Sequence, residues 1–184
     1  MALILTDLTA NANNLTNVNG VDSTDVPFPT KNNDSVILTA ASSQYLYAAD
    51  SASLSIVGNL TLETWVKFTS TPGSGNLMGL LVKEPDVAGQ ISYGFFLQNA
   101  AGTLKLLFEV SDDGTAVTDS VVSWTPSTAT WYHVAVAYDT GGNVLFYVNG
   151  AQQGATQTGA KTSIFDGNSR LGLGVNGATG TPNS

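Results

Sequence analysis

"WYHVAVAYDTGGNVLFYVNG", residues Trp131 to Gly150, alternates side chains in steps of two on either side of a Gly-Gly turn. Tyr132, Val134, Val136 and Tyr138 fall on one face of a strand, while Trp131, His133, Ala135 and Ala137 fall on the other. After Thr140-Gly141-Gly142-Asn143 the chain returns with Val144, Phe146 and Val148 on one side and Leu145, Tyr147 and Asn149 on the other. Gly and Asn tolerate the positive φ that tight hairpins need, so the stretch reads as two antiparallel strands.

The same period recurs along the chain. In Leu60 to Phe68, Leu60, Leu62, Val66 and Phe68 share a face, opposite Thr61, Glu63, Trp65 and Lys67. Similar runs are Ser35–Thr39, Gln44–Ala48, Leu77–Lys83, Ile91–Gln98, Thr103–Val110, Val117–Trp124 and Leu171–Val175. Thr71-Pro72-Gly73-Ser74-Gly75, Asp112-Asp113-Gly114 and Asn149-Gly150 supply turns between them. No helical period lasts three turns. Short strands at regular spacing predict an all-β, antiparallel two-sheet jelly-roll sandwich. The 184 residues suit one domain. Within it, an Asn-rich segment over 1–34 is expected along the surface, the sandwich core over 35–175 and a tail over 176–184.

Composition narrows the function. Fourteen acidic against six basic residues give a net charge of −8, yet charged residues make up only 11% of the chain. No Lys/Arg patch exists to displace counterions from phosphates, and Arg170 is the sole arginine, so nucleic acid and anionic membranes are unexpected partners. With no cysteine there is no disulfide, thiolate zinc site or cysteine nucleophile. The apolar stretch Ala2–Leu5 is too short for a signal sequence or a membrane span. Synthesis in the cytoplasm, followed by exposure on a virion or extracellular surface, is the expectation.

"TWYHVAVAYDTGGNVLFYVNG", preceded by "SLSIVGNLTLETWVKF" and by "SSQYLYAADSASLSI", resembles the laminin G-like members of the concanavalin A-like lectin/glucanase superfamily. Three motifs occur in the same order, and the resemblance covers roughly Asp7 to Val175. It implies a jelly roll that binds sugars, proteins or surfaces, often beside calcium, with His133 as part of the scaffold. It also implies a further strand at each end, beyond the segments that match. Without those strands, open sheet edges would invite other chains into homo- or hetero-oligomers.

Jelly-roll hydrolases of that superfamily carry a Glu-x-Asp-x-x-Glu strand. Here the acids available are Glu63, Glu84 and Glu109, and Glu84-Pro85-Asp86 meets Gly89 where a third carboxylate is needed. A serine triad would have to use His133 with Asp139 a strand's length away. Val134-Ala135-Val136-Ala137-Tyr138-Asp139-Thr140 is similar to the metal-binding strand of legume lectins, but Ala137 stands where their Glu is needed. No catalytic residue is therefore expected. Calcium is open: Asp112, Asp113 and Asp139 are candidate ligands, alongside Asp50, Asp166, Asn176 and loop carbonyls, and Asp-Asp-Gly is equally good turn chemistry. Trp124, Tyr93 and Asn176 are the candidates for contacting a sugar.

Two readings follow, with a third far behind. The first is a non-catalytic recognition or adhesion module for glycans or surface proteins, displayed on an assembled particle such as a phage virion. The second is a purely structural decoration, fibre or tail protein of a bacteriophage, and the third a relative of glycoside hydrolases.

Overall fold

The computed structural model describes residues 5–24, 35–84 and 89–175, and among them there is no α-helix. The N-terminal strands are β1 (Thr16–Val18), β2 (Asp22–Thr24), β3 (Ser35–Ile37) and β4 (Tyr45–Ala48). The middle of the chain supplies β5 (Leu60–Lys67), β6 (Leu77–Lys83), β7 (Tyr93–Ala100), β8 (Thr103–Ser111) and β9 (Val117–Ser123). β10 (Trp131–Tyr138), β11 (Asn143–Val148), β12 (Ala151–Thr158) and β13 (Leu171–Leu173) complete the set.

They build two antiparallel sheets. The larger has the order β1-β4-β13-β6-β7-β8-β9, the smaller β12-β11-β10-β5, and β2 pairs with β3 in a separate ribbon. The hairpin of Trp131–Gly150 is β10 and β11, with Val136 opposite Phe146. Its tip carries Gly142 at φ 78°, and the next turn carries Asn149 at 51° and Gly150 at 79°.

The inner faces meet as the period of two requires. From the larger sheet come Tyr93, Phe95, Leu97, Leu106, Phe108 and Val110, and from the smaller Leu60, Leu62, Val134, Val136, Tyr138, Val144 and Phe146. Aromatic pairs bridge the layers: Phe95 with Phe146 at 6.3 Å between centroids, and Phe108 with Tyr138 at 5.8 Å. Each adds about 0.5–1.5 kcal/mol beyond the area it buries.

Two strands break the half-buried pattern. Phe96 and Leu107, on the outer face of β7 and β8, are as buried as their inward neighbours, and with Val82 they form a second apolar cluster. Val175 lies across this face, because a Cβ at Gly79 would run into its carbonyl. At Gly94 a Cβ would strike the Phe96 ring. Glycine there leaves room for a large side chain to fold over a central strand.

One strand falls outside the sequence expectation, for a physical reason. β12, AQQGATQT, shows no apolar alternation because it is a largely exposed edge strand, held by pairing to β11. Across the sandwich β12 also reaches β9, where Gln153 Nε2 donates to Ser123 O at 2.9 Å. β1, inside the segment expected to lie along the surface, pairs with β4 as an edge of the larger sheet.

Gly79→Ala should cost about 1–3 kcal/mol by overpacking against a backbone carbonyl. Gly58→Ala, where nothing lies within 4 Å of the new methyl, should be close to neutral. Urea denaturation of both variants beside the unchanged chain checks this.

Candidate functional site

The structure gathers polar and aromatic groups at the end of the larger sheet where β4, β6 and β13 meet. Lys83, the last residue of β6, is 1% exposed. Its Nζ donates at 2.7 Å to each of three acceptors: Asp50 Oδ1, just past β4, and the carbonyls of Gly167 and Ser169, just before β13. Three acceptors match the three N–H donors of an ammonium, the condition under which a buried charge is tolerated.

The loop that supplies those carbonyls is fixed from its other side as well. Asn168 N donates to Gln90 Oε1 at 3.0 Å, and Gly167 N donates to Ser92 Oγ at 3.2 Å. Gly167 packs so tightly that a Cβ would collide with Gln90 O. Arg170 then projects over the outer face of β4, its guanidinium 4.8 Å from the Tyr47 centroid and 5.3 Å from that of Tyr45. Tyr47 and Tyr45 share that face because they are two residues apart, and Gly172 beside Tyr47 puts no side chain in the way.

Between these groups lies an open depression of roughly 510 Å³ lined by Tyr47, Ala49, Asp50, Gln90, Asn168, Ser169 and Arg170. Its lining mixes an aromatic ring, a guanidinium, two amides and a carboxylate, the groups that recognise sugar hydroxyls and substituents. Beneath it Tyr93 keeps its proton: burial first, and then the charge of Asp50, push its hydroxyl up to about 12.

The residues singled out in the sequence lie elsewhere or play other parts. Tyr93 is 1% and Trp124 9% exposed. Both belong to the core, Trp124 packing edge-on to Tyr132 at 5.1 Å, so neither presents a ring to a ligand. Asn176 lies outside the described residues, as do Pro85 and Asp86. Asp112 pairs with Lys161 at 2.7 Å. Asp113 Oδ1 accepts from Thr115 N and Ala116 N, both at 2.8 Å, and Asp139 Oδ1 accepts from Gly141 N at 2.7 Å. The Asn143 side chain, donating to both Asp139 oxygens at 3.1 Å, holds that carboxyl below the usual range, and the Ala116 and Thr115 backbone bonds do the same for Asp113. Among the described residues no three His, Asp or Glu side chains converge as a metal shell. His133 stands on the outer face of the smaller sheet, Nε2 3.4 Å from Glu63 Oε2 and its ring 5.4 Å from Trp65.

One constellation escaped the sequence reading because its members are far apart in the chain. Glu84, just after β6, is coupled electrostatically to Glu109 of β8, its Oε1 buried without a hydrogen-bond partner, and Asp119 of β9 stands opposite Glu109. Burial first, and then the charge of Glu84, push the Glu109 carboxyl up to about 8; burial raises Glu84 too.

A carboxyl with a raised pKa in the folded state keeps its proton where the unfolded chain has lost it. Its contribution to stability therefore falls as pH rises from about 4.5 to about 8. The melting temperature should decline over that window, and Glu109→Gln should flatten the decline and raise stability at pH 8. Thermal melts at intervals from pH 5 to 9 measure it.

Comparison with known proteins agrees with this architecture. The binding domain of Paraclostridial Mosquitocidal Protein 1 superposes with a TM-score of 0.73 at 15% identity, over 97% of this chain and 43% of that one. The binding domain of botulinum neurotoxin serotype G gives 0.68 at 14% identity, over 97% and 42%. The CBM40 of Ruminococcus gnavus IT-sialidase, bound to α2,3-sialyllactose, gives 0.53 at 16% identity, over 72% and 71%. The chain thus spans less than half the length of the two toxin binding domains. No curated protein matches the sequence. A laminin G family model matches residues 40–183, nearly four-fifths of the sequence, and the chain belongs to the concanavalin A-like lectin/glucanases superfamily.

Proposed function

We propose that this chain is a non-catalytic recognition module that binds glycans, free or on surface proteins, through the depression lined by the end of β4, Gln90 and the loop before β13. The observation that carries the reading is the built character of that depression: a satisfied buried ammonium fixes its floor, and amides, a carboxylate and a guanidinium line it. Preorganised polar groups on rigid strands and a braced loop are what recognition of a flexible, hydrated ligand needs. The similar folds support the same direction, since they include toxin binding domains and a sialidase module bound to a sialylated sugar.

Asn168 is exposed and lines the depression, so Asn168→Trp fills the space while leaving the backbone bonds of the loop in place. On a glycan microarray at neutral pH the unchanged chain should bind at least one glycan class. Asn168→Trp should lower that signal by about tenfold, equivalent to about 1.4 kcal/mol. No binding to any glycan contradicts the function, and undiminished binding by the variant contradicts the site.

Display in many copies on a particle is the finer part of this reading, supported by a cysteine-free, sparsely charged sequence. Light scattering at micromolar concentration tests it: assemblies of defined size support display through self-association, and a monomer opposes it.

A further inference from the structure

We infer that the depression reads the hydroxyl edge of a neutral sugar, and that Asp50 is the residue that decides which hydroxyl pattern fits. The inference rests on the recognition reading above and goes on to name the chemical class of the ligand.

The aromatic ring in the lining is already in use. The Arg170 guanidinium lies 4.8 Å from the Tyr47 centroid and 5.3 Å from that of Tyr45, so a cation covers the ring faces on that side of β4. An aromatic side chain in a sugar site ordinarily serves as a platform for the apolar face of a pyranose. Here the protein itself occupies that platform, and what the depression offers a ligand is hydrogen bonding.

The bonding positions follow from the partners already made. Asp50 Oδ1 accepts from the Lys83 ammonium at 2.7 Å, while among the described residues nothing donates to Oδ2 of the same carboxylate. Gln90 uses its Oε1 to accept from Asn168 N at 3.0 Å, and its Nε2 and the Asn168 side-chain amide have no partner among the described residues. All three side chains line the depression. Asp50 is held by an ammonium that the Gly167 and Ser169 carbonyls pin in turn, and Gln90 by its bond to the loop, so the acceptor and the donors are in place before anything binds.

A carboxylate oxygen only accepts and an amide N–H only donates, so a partner common to both must do both. A hydroxyl does. Adjacent hydroxyls of one sugar can donate a hydrogen to Asp50 and accept from the amides, each bond polarising the next, and the bond to the ionised acceptor is the strong one. An anionic sugar brings its carboxylate lone pairs towards Asp50 without a hydrogen, in a chain whose net charge is −8. A cationic sugar meets an acid whose charge Lys83 already matches. Neither charge is favoured, and the uncharged hydroxyl pair is what the lining complements.

The test titrates the isotope-labelled intact chain, followed by NMR, with the methyl glycosides of glucose, galactose and mannose, each beside its uronide and its 2-amino-2-deoxy form. At least one neutral glycoside should shift the Asn168 and Gln90 side-chain signals, and neither its uronide nor its amino form should bind more tightly. One of its monodeoxy analogues should bind about tenfold more weakly, as loss of a hydrogen bond to a charged group requires. Asp50→Asn keeps the shape and an acceptor oxygen but not the charge, and should shrink that gap to about threefold. The comparison of sugars uses the unchanged chain, so a misfolded Asp50→Asn would not rescue the inference. A uronide or amino sugar that binds more tightly than its neutral parent overturns the inference and leaves the recognition reading standing. Monodeoxy analogues that all bind as well as the parent overturn it too, as does a folded Asp50→Asn chain that keeps the full gap. Recognition of other glycans with none of these neutral glycosides bound also overturns the inference, whereas binding to no glycan at all removes the reading on which it rests.

Discussion

A lysine ammonium buried to 1% exposure, with three acceptors at 2.7 Å, is the constraint on which the functional end of this sandwich depends. The three partners come from two separate parts of the chain, so satisfying one cation fixes β6, the segment after β4 and the loop before β13 against each other. A buried ammonium missing a partner costs several kcal/mol, and the arrangement is correspondingly close to all or none. The depression is lined by two of those segments, Tyr47 to Asp50 and Asn168 to Arg170, together with Gln90, and the position of Arg170 follows from the loop that Lys83 holds.

The rest of the larger sheet supports this end. Phe96 and Leu107 bury its outer face near the middle, and Glu109 continues that face with its carboxyl pushed up by burial and by the charge of Glu84. One register row runs from Tyr47 through Gly172, Val82 and Gly94 to Glu109 and Asp119. Along that row the outer surface passes from aromatic to apolar to acidic, and the cationic Arg170 stands at the aromatic end, farthest from the acids. Glu109 of that cluster is separated from Tyr47 of β4 by the three strands β13, β6 and β7.

How far this could be read from the sequence depended on range. Leu60–Lys67 and Trp131–Val148 declare themselves because alternation and turn chemistry are local, and the three ordered motifs were enough to indicate the superfamily. β12 stayed hidden because an exposed edge strand has no apolar face to alternate. The site was less legible. Tyr93 and Trp124 have the right chemistry for sugar contact, but two-sided burial of β7 and packing by Tyr132 take both rings into the core. Lys83 reads as a strand-end lysine bound for solvent, and only tertiary contact with residues 33, 84 and 86 positions away reveals it as the floor of a site. Two local signals were present, Tyr45 and Tyr47 spaced by two and a single arginine in the chain, but nothing in the sequence says that they meet.

The most direct test of this account is a double-mutant cycle between Lys83 and Asp50, by urea unfolding of Lys83→Met, Asp50→Asn and the double variant. If the ammonium is the common anchor, the two changes are strongly non-additive, with a coupling energy of about 1–3 kcal/mol. Additive effects, or a Lys83→Met chain as stable as the original, would contradict it.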